Sequence, residues 1–249
     1  MVSTPSTRST QSFSSSQAGG SRLPVIAVTG MAFEARIVRG EGVEVVYAAR
    51  ADLLERSLRA ALAHGCSGIL SFGTAGGLAP DLEPGALIVA DAVEGPLGRF
   101  TTDAPWSEHL VAALRATPLG ASLRRGLMAG VTAPLTGADD KAALHRSSGA
   151  LAVDMESHIA GAIAAAQGVP FAVCRAIVDP ARRTLPPAAT AGLRDDGSTA
   201  IAPILRELLK QPSQLGALLR VAADARAART ALVQARLALG AAGALQPGV

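Results

Sequence analysis

The sequence is poor in the features that mark nucleic-acid-binding, membrane-spanning and metal-binding proteins. Aromatic residues make up 3% of the 249 residues, and the formal net charge is only +3. The body of the chain carries no basic stripe, so nucleic acid is not an expected partner. No apolar run reaches the ~18 residues needed to cross a bilayer. The four histidines lack metal-ligand spacing, so we expect no bound metal.

Cysteine is also scarce. Cys66 and Cys174 lie in apolar contexts and are predicted to be reduced core residues rather than a disulfide or metal ligands. Residues 1–22 are rich in Ser, Thr, Gln and Gly, which predicts a disordered segment. These residues also lack the continuous apolar stretch of a signal peptide. We therefore expect a cytoplasmic protein.

Between residues 23 and 210, short apolar runs alternate with helical patterns. Hydrophobic residues form 49% of the chain, which suits one sizeable buried core. The alternation predicts a single α/β domain with a central, largely parallel mixed sheet flanked by helices. The predicted strands include LPVIAVTG, VEVVYAA, SGILSFGTAGG, GALIVADAV, RGLMAGVTA, ALAVDMES and VPFAVCRAIVD.

One stretch, SFGTAGGLAPDLEPGALIVAD at residues 71–91, concentrates four glycines and two prolines. We interpret GTAGG as a loop after a strand, which could present backbone N–H groups to an anion or a ribose oxygen. The stretch has neither a Gly-Lys-Ser/Thr ending nor a GxGxxG pattern, which argues against a Walker loop or a standard dinucleotide site. A tight turn needed for packing explains the glycines equally well.

Acidic residues follow several of the predicted strands. Glu34, Glu156 and Asp179 join the glycine stretch at the carboxyl ends of strands, where open α/β sheets place their sites. Glu156 begins a helix, which favours its ionised form. The apolar strand before Asp179 should raise the pKa of this carboxyl, which suits a proton donor. Taken singly, Asp154 or Glu156 could be a helix N-cap, and Asp179-Pro180 could be a turn.

The segments VTGMAFEA, SFGTAGGLAPDLEPGALIVAD and AVDMESHIAGAIAAAQGVPFAVCRAIVD resemble the purine nucleoside phosphorylase/nucleosidase superfamily over residues 23–210. Within it, the methylthioadenosine/S-adenosylhomocysteine nucleosidases are the nearer subgroup. The short middle, the MAFEAR opening and the basic Ala/Arg-rich C-terminus look most like the hopanoid-associated phosphorylases. That resemblance implies removal of adenine from adenosylhopane.

The resemblance also implies a role for individual residues. Asp179 matches the acid that protonates purine N7, and Val178 stands where the family often has a serine. Glu34 takes the position from which nucleosidases activate water. The other matched positions are Met155 and Glu156 for the ribose; Gly73, Thr74, Ala75, Gly76 and Arg36 for the ribose, water or phosphate; and Asp139 and Lys141 as candidate base contacts.

The choice between hydrolysis and phosphorolysis stays open in the sequence. A glutamate at position 34 repels phosphate and can activate water, which favours hydrolysis, while Arg36 could offset this repulsion. No cofactor is implied, and inorganic phosphate is the candidate co-substrate. Two alternatives are a nucleosidase acting on soluble methylthioadenosine or S-adenosylhomocysteine, and a non-catalytic nucleoside-binding member of a hopanoid assembly.

The C-terminal segment, residues 211–249, is predicted to be a helical extension of the domain. It contains four arginines and one acid, Asp224, and so accounts for the whole +3 surplus. A packing or dimer helix is one interpretation. Contact with anionic lipid at the inner membrane is the other, which would suit a lipid substrate. By resemblance alone, we expect a homo-oligomer.

Overall fold

A computed structural model describes residues 23–191, 197, 198 and 200–248 of the chain. The disorder predicted for residues 1–22 lies outside the described residues. The strands are β1 (Val25–Thr29), β2 (Val43–Tyr47), β3 (Gly68–Gly77), β4 (Leu87–Gly95), β5 (Gly98–Thr101), β6 (Leu123–Gly130), β7 (Ala152–Asp154) and β8 (Phe171–Asp179). The helices are α1 (Ala32–Val38), α2 (Ala51–Leu62), α3 (Ala104–Arg115), α4 (Ala138–Ser148), α5 (Ser157–Gln167), α6 (Pro187–Thr190), α7 (Ile201–Lys210) and α8 (Leu215–Ala241).

The eight strands form one mixed sheet, which confirms the predicted fold class. Strand β3 runs parallel to β1 and β8, and β4 and β7 run parallel to β6. Antiparallel pairing joins β4 to β8 and the end of β3 to β7. Strands β3, β8, β4, β6 and β7 therefore close into a ring, with β1 and β2 extending outward from β3. The ring brings the carboxyl ends of β3, β7 and β8 together.

Hydrophobic cores cover both faces of the sheet. On β1, Ile26 and Val28 belong to one core, and Val25 and Ala27 belong to the other. This split follows from the period of two along a strand, which sends successive side chains to opposite faces. A strand buried on both sides reads as a continuous apolar run, and this is why LPVIAVTG was recognisable as a strand.

The second half of α8 is part of the domain core. Ala228, Leu232 and Leu239 are buried against the face that also holds Trp106. The Trp106 indole Nε1 donates a hydrogen bond to the carbonyl of Ala244 at 2.9 Å. The C-terminal segment is therefore helical, as predicted, and its second half contributes directly to the packing of residues 23–210.

One local feature differs from the sequence prediction. GTAGG is not a loop: Gly73–Gly77 continues β3, because its backbone pairs with β8 and then with β7. The register shifts between Ala75 and Gly76, so the strand is irregular where the glycines lie. The candidate base contacts Asp139 and Lys141 lie on α4, with Asp139 in its first turn.

Candidate active site

Arg175, in the middle of β8, organises one half of the site and was not singled out from the sequence. Its guanidinium is fully buried and lies 2.9 Å from Asp154 Oδ2 through Nε. Nη1 lies 3.3 Å from Glu156 Oε2, and Nη2 donates to Ser71 Oγ at 2.6 Å. The signal that could have found it is a charged residue inside the apolar strand FAVCRAIVD, because arginine is almost never fully buried unless it is paired.

Glu34 links the start of α1 to the glycine stretch of β3. Its Oε2 accepts hydrogen bonds from the backbone N–H groups of Gly30 and Met31 at 3.1 and 3.0 Å. Its Oε1 accepts from Thr74 twice, at 2.8 Å from the backbone N–H and at 2.6 Å from Oγ1. Burial raises the pKa of Glu34, and Arg175 and the hydrogen bonds of Thr74 partly oppose this rise. The predicted grouping of Glu34 with Thr74 is present.

Glu156 lies at the beginning of α5, as predicted. Burial, however, influences the pKa of its carboxyl more than the helix N-terminus does. Desolvation raises the pKa of its carboxyl to about 8, although the guanidinium of Arg175 acts in the opposite direction. The sequence analysis expected an ionised acid stabilised by the helix N-terminus. The backbone N–H of Ser157, at the start of α5, donates instead to Asp154 Oδ1 at 3.0 Å. Met155, between the two acids, is half-buried.

Two glycines let the backbone approach these acids closely. Gly73 has φ +155°, and a Cβ at this position would lie 2.7 Å from both Arg175 Nη1 and Glu34 Oε2. A Cβ at Gly30 would collide with the carboxylate of Glu156. The glycine at position 73 is therefore required by packing against the charged cluster. Both interpretations of GTAGG, close packing and close approach to a site, apply at this position.

Asp179 ends β8 and forms the other half of the site with Lys141 of α4. Lys141 Nζ lies 2.6 Å from Asp179 Oδ2, and both residues are buried. Burial raises the pKa of Asp179, as the sequence analysis expected, while Lys141 lowers it. In β3, Gly76 is the register partner of Asp179, and a Cβ there would lie 3.7 Å from Oδ2. The acid thus lies against the same glycine stretch as Glu34.

The remaining candidates lie elsewhere. Arg36 is exposed on α1, whereas Glu34 two residues earlier is buried, since positions i and i+2 of a helix do not share a face. Asp139 is exposed at the start of α4. Lys141 has no exposed surface and directs its ammonium at protein acceptors, which places it behind Asp179 rather than in direct contact with a base.

Within the described residues, no group of three or more His, Cys, Asp or Glu side chains could hold a metal ion. Both cysteines are free, and burial raises the pKa of the Cys174 thiol to about 12. The chemistry available at this edge of the sheet is therefore that of carboxyls, hydroxyls, one guanidinium and one amine.

The fold and the site together define an α/β enzyme with a mixed, ring-closed sheet and buried acids at the carboxyl ends of its strands. Comparison with protein families matches residues 20–210 to the Phosphorylase superfamily, so the chain belongs to that superfamily. A comparison with curated proteins found no match.

Several solved structures share the fold at low sequence identity. A 5′-methylthioadenosine/S-adenosylhomocysteine nucleosidase from Helicobacter pylori is 15% identical over 89% of this chain and 98% of its own, with a TM-score of 0.62. The S-adenosylhomocysteine nucleosidase of Streptococcus pyogenes is 18% identical, covering 66% and 87%, with a TM-score of 0.59. The futalosine hydrolase of H. pylori is 18% identical, covering 63% and 88%, with a TM-score of 0.55.

Proposed function

We propose that this protein cleaves the N-glycosidic bond of an adenine nucleoside and releases adenine. The observation that carries the proposal is the placement of Asp179. This buried acid ends β8 against Gly76 of β3, and Gly73 of the same strand lies against Glu34 and against Arg175, which pairs with Glu156. A proton donor and an anionic cluster a few residues apart suit a reaction in which a base leaves and positive charge develops on a sugar.

Each group then has a distinct role. Asp179 gives a proton to N7 of the purine, which makes adenine a better leaving group. Met155 packs under the sugar, and the carboxyl of Glu156 meets its hydroxyls. Positive charge at C1′ of the sugar is stabilised by the carboxyls gathered around Arg175. This chemistry uses no cofactor.

Hydrolysis is the outcome that the cluster favours. Arg175, the buried cation of this half of the site, is already engaged by Asp154, Glu156 and Ser71. Arg36, the other candidate for phosphate, is exposed on α1. A phosphate dianion would therefore meet carboxyls, whereas Glu34, with its raised pKa, can accept a proton from an attacking water.

We propose adenosylhopane as the substrate, and the sequence resemblance described above supports it. A surface of exposed leucines on α7 and the first half of α8 adds a structural argument: Leu205, Leu209, Leu215 and Leu219, with Leu209 82% exposed. Arg206, Lys210 and Arg220 lie among them in the sequence and are also exposed. Apolar residues flanked by cations suit peripheral contact with an anionic membrane that holds the substrate.

Within the described part of the chain, none of the helices combines the length and the apolar character that crossing a bilayer requires. Membrane contact through this surface is best tested on the leucines. Removing residues 211–249 would also remove core residues such as Leu232 and Leu239. The variant L209E/L219E should lose binding to vesicles containing anionic lipid, while Leu97→Glu, which alters an exposed leucine between β4 and β5, should not. Equal binding by both variants would contradict membrane contact through this surface.

The second candidate is a nucleosidase for methylthioadenosine or S-adenosylhomocysteine, because several structural neighbours are nucleosidases for these substrates. The test is adenine release from adenosylhopane in detergent and from methylthioadenosine in parallel, each with and without phosphate. Release from adenosylhopane without phosphate supports the proposal. Release that requires phosphate and yields a ribosyl 1-phosphate makes the enzyme a phosphorylase. Release from methylthioadenosine alone selects the second candidate.

A non-catalytic role in a hopanoid assembly would give no adenine from either substrate. The assembly state is a separate proposal, a homo-oligomer, and sedimentation velocity tests it. A monomer at micromolar concentration would contradict it.

A further inference from the structure

Lys141 is a buried amine with three acceptors. It lies in the first half of α4 with no exposed surface. Its Nζ donates to Asp179 Oδ2 at 2.6 Å, to the carbonyl of Arg183 at 2.8 Å and to the carbonyl of Pro180 at 3.4 Å. An ammonium group has three N–H donors and no acceptor. These partners therefore match the charged form of the lysine.

Position 141 holds a lysine, although arginine is far more common in this chain. The chain contains 21 arginines but only two lysines, Lys141 and Lys210. Lys210 is exposed and pairs with Glu207 on the surface of α7. At position 141 the small ammonium group meets one carboxylate oxygen and two carbonyls that converge on it. The planar fork of a guanidinium is a poor match for such convergent acceptors.

The lysine occupies one oxygen of Asp179 and leaves the other unbound. Oδ1 of Asp179 is buried and has no hydrogen-bond partner among the residues that the structure describes. A buried carboxyl oxygen without a partner is unfavourable unless a ligand completes it. The pairing of Oδ2 with Lys141 fixes the plane of the carboxyl and so fixes where Oδ1 points.

An ion pair with α8 holds the loop whose carbonyl accepts from Lys141. Arg183, whose carbonyl accepts from Lys141, pairs through its guanidinium with Asp224 of α8 at 2.5 Å. Leu185 in the same loop donates its backbone N–H to the carbonyl of Thr136, just before α4. The charged groups that act on Asp179 are thus Lys141 from α4, Arg183 from the loop and Asp224 from α8.

We propose that Lys141 is the positioning residue for the acid: its ammonium holds Oδ2 of Asp179, leaves Oδ1 for the departing base, and stabilises the carboxylate that remains after proton transfer. This inference rests on the proposed function, since it assigns the acid its partner. In this proposal, Lys141 supports Asp179 in place of the serine that the family often has before the aspartate, since this chain has Val178 at that position.

The proposed reaction moves one proton from Asp179 to the base and one proton from water to Glu34. The bond between C1′ and N9 breaks, and its electron pair goes to the purine. The proton on Asp179 moves to N7, which leaves a carboxylate beside the Lys141 ammonium. Water adds to C1′ and gives its proton to Glu34, which releases it to solvent. A proton from solvent then restores Asp179. Lys141 stays charged throughout and forms no covalent bond.

The sign of the pH effect follows from the charges. Burial raises the pKa of Asp179, and both the hydrogen bond and the charge of Lys141 lower it. Asp179 must be protonated to donate, so kcat should fall as the pH rises through its pKa. Lys141→Met removes the opposing charge, and the descending limb of the kcat profile should move upward by about 1–3 pH units. Lys141→Gln should move it in the same direction.

Lys210→Met is the matched control, because it removes the other lysine from an exposed position. It should leave the pH profile unchanged. If Lys141→Met and Lys141→Gln fold, by near-ultraviolet circular dichroism, and lower kcat with the limb unmoved, Lys141 has only a structural role and the proposal is overturned.

A measurement without substrate separates this proposal from the proposed function. In enzyme labelled with ¹³C at the lysine ε carbon, only two lysine signals arise, and Lys210→Met assigns them. The Lys141 signal should shift as Asp179 titrates, and Asp179→Asn should abolish that step, because the Lys141 ammonium lies 2.6 Å from the carboxyl whose charge changes. An unchanged step would overturn the proposal even if adenine is released. A coupled step in an enzyme that releases no adenine would refute the proposed function alone.

Discussion

The two halves of the site balance their charges in different ways. Around Arg175, three carboxyls, those of Glu34, Asp154 and Glu156, share one buried guanidinium. Around Asp179, one carboxyl meets one buried ammonium. The first half carries more acid than its cation can neutralise, and burial raises the pKa values of both Glu34 and Glu156. The second half is a matched pair.

This difference indicates different chemistry. A cluster with surplus acid attracts a developing positive charge and can accept a proton, which suits the sugar and the attacking water. A single acid held by one lysine presents one free oxygen in a fixed direction, which suits proton transfer to a base. Both halves contact the glycine stretch of β3, the first at Gly73 and the second at Gly76.

The substitution expected to destabilise the first half most is Arg175→Met. The substitution removes the guanidinium and leaves the carboxyls of Asp154, Glu156 and Glu34 without their buried cation. Removing one partner of a buried ion pair costs about 3–5 kcal/mol, so urea denaturation should show a fall of that size in the free energy of unfolding. Arg182→Met, which breaks an exposed pair with Glu83, should change it little. Equal effects of the two substitutions would show that Arg175 does not hold the cluster together.

A smaller loss of stability is expected from Gly73→Ala, which tests whether the glycine stretch must lie against the charged cluster. The added methyl group would lie 2.7 Å from both Arg175 Nη1 and Glu34 Oε2. Overpacking of this kind costs about 1–3 kcal/mol, measurable as a lower denaturation midpoint. Gly216→Ala, in α8 where a Cβ would meet nothing within 4 Å, should instead stabilise the protein by about 0.4–1 kcal/mol. A neutral Gly73→Ala would mean that the cluster can move aside.

The protonation of the first half is tested by pH. The pKa of Glu156 is about 8 in the folded protein against an ordinary value of 4.5. The folded state therefore binds the extra proton, and this contribution to stability is complete below pH 4.5 and is lost as the pH rises to about 8. Glu156→Gln cannot lose a proton, so its free energy of unfolding should fall less steeply across that window, by at most about 1.4 kcal/mol per pH unit.

The exposed Glu55, which pairs with Arg59 on α2, supplies the control for this pH dependence. Glu55→Gln should keep the wild-type slope. Identical slopes for wild type and Glu156→Gln would place the bound proton elsewhere, for example on Glu34, whose pKa is raised in the same direction.

The sequence was sufficient to predict the strands whose side chains are buried on both faces, because their apolar runs are continuous. It also placed Glu34 and Glu156 after strands and Asp179 at the end of one, which is a local property. It could not show that GTAGG continues β3, since that depends on pairing with β7 and β8. Nor could it show that Lys141 pairs with Asp179, 38 residues later.

Arg175 illustrates the same limit. Its role depends on Glu34 and Glu156, which come from two other segments of the chain. Burial also reversed one expectation from the sequence. The helix N-terminus at Glu156 suggested an ionised acid, but the desolvation of a closed site outweighs that local effect. Charge states at a site depend on the assembled environment more than on the element that carries the residue.

The central claim, that Asp179 donates the proton that releases adenine, is tested most directly by the rate of adenine release from wild type and from Asp179→Asn. The assay uses the substrate that wild type accepts, at saturation and without phosphate. The exposed Asp81→Asn is the control. We predict that kcat falls by about 10²–10⁴-fold for Asp179→Asn and stays unchanged for Asp81→Asn. An Asp179→Asn enzyme that keeps the wild-type kcat would contradict the account.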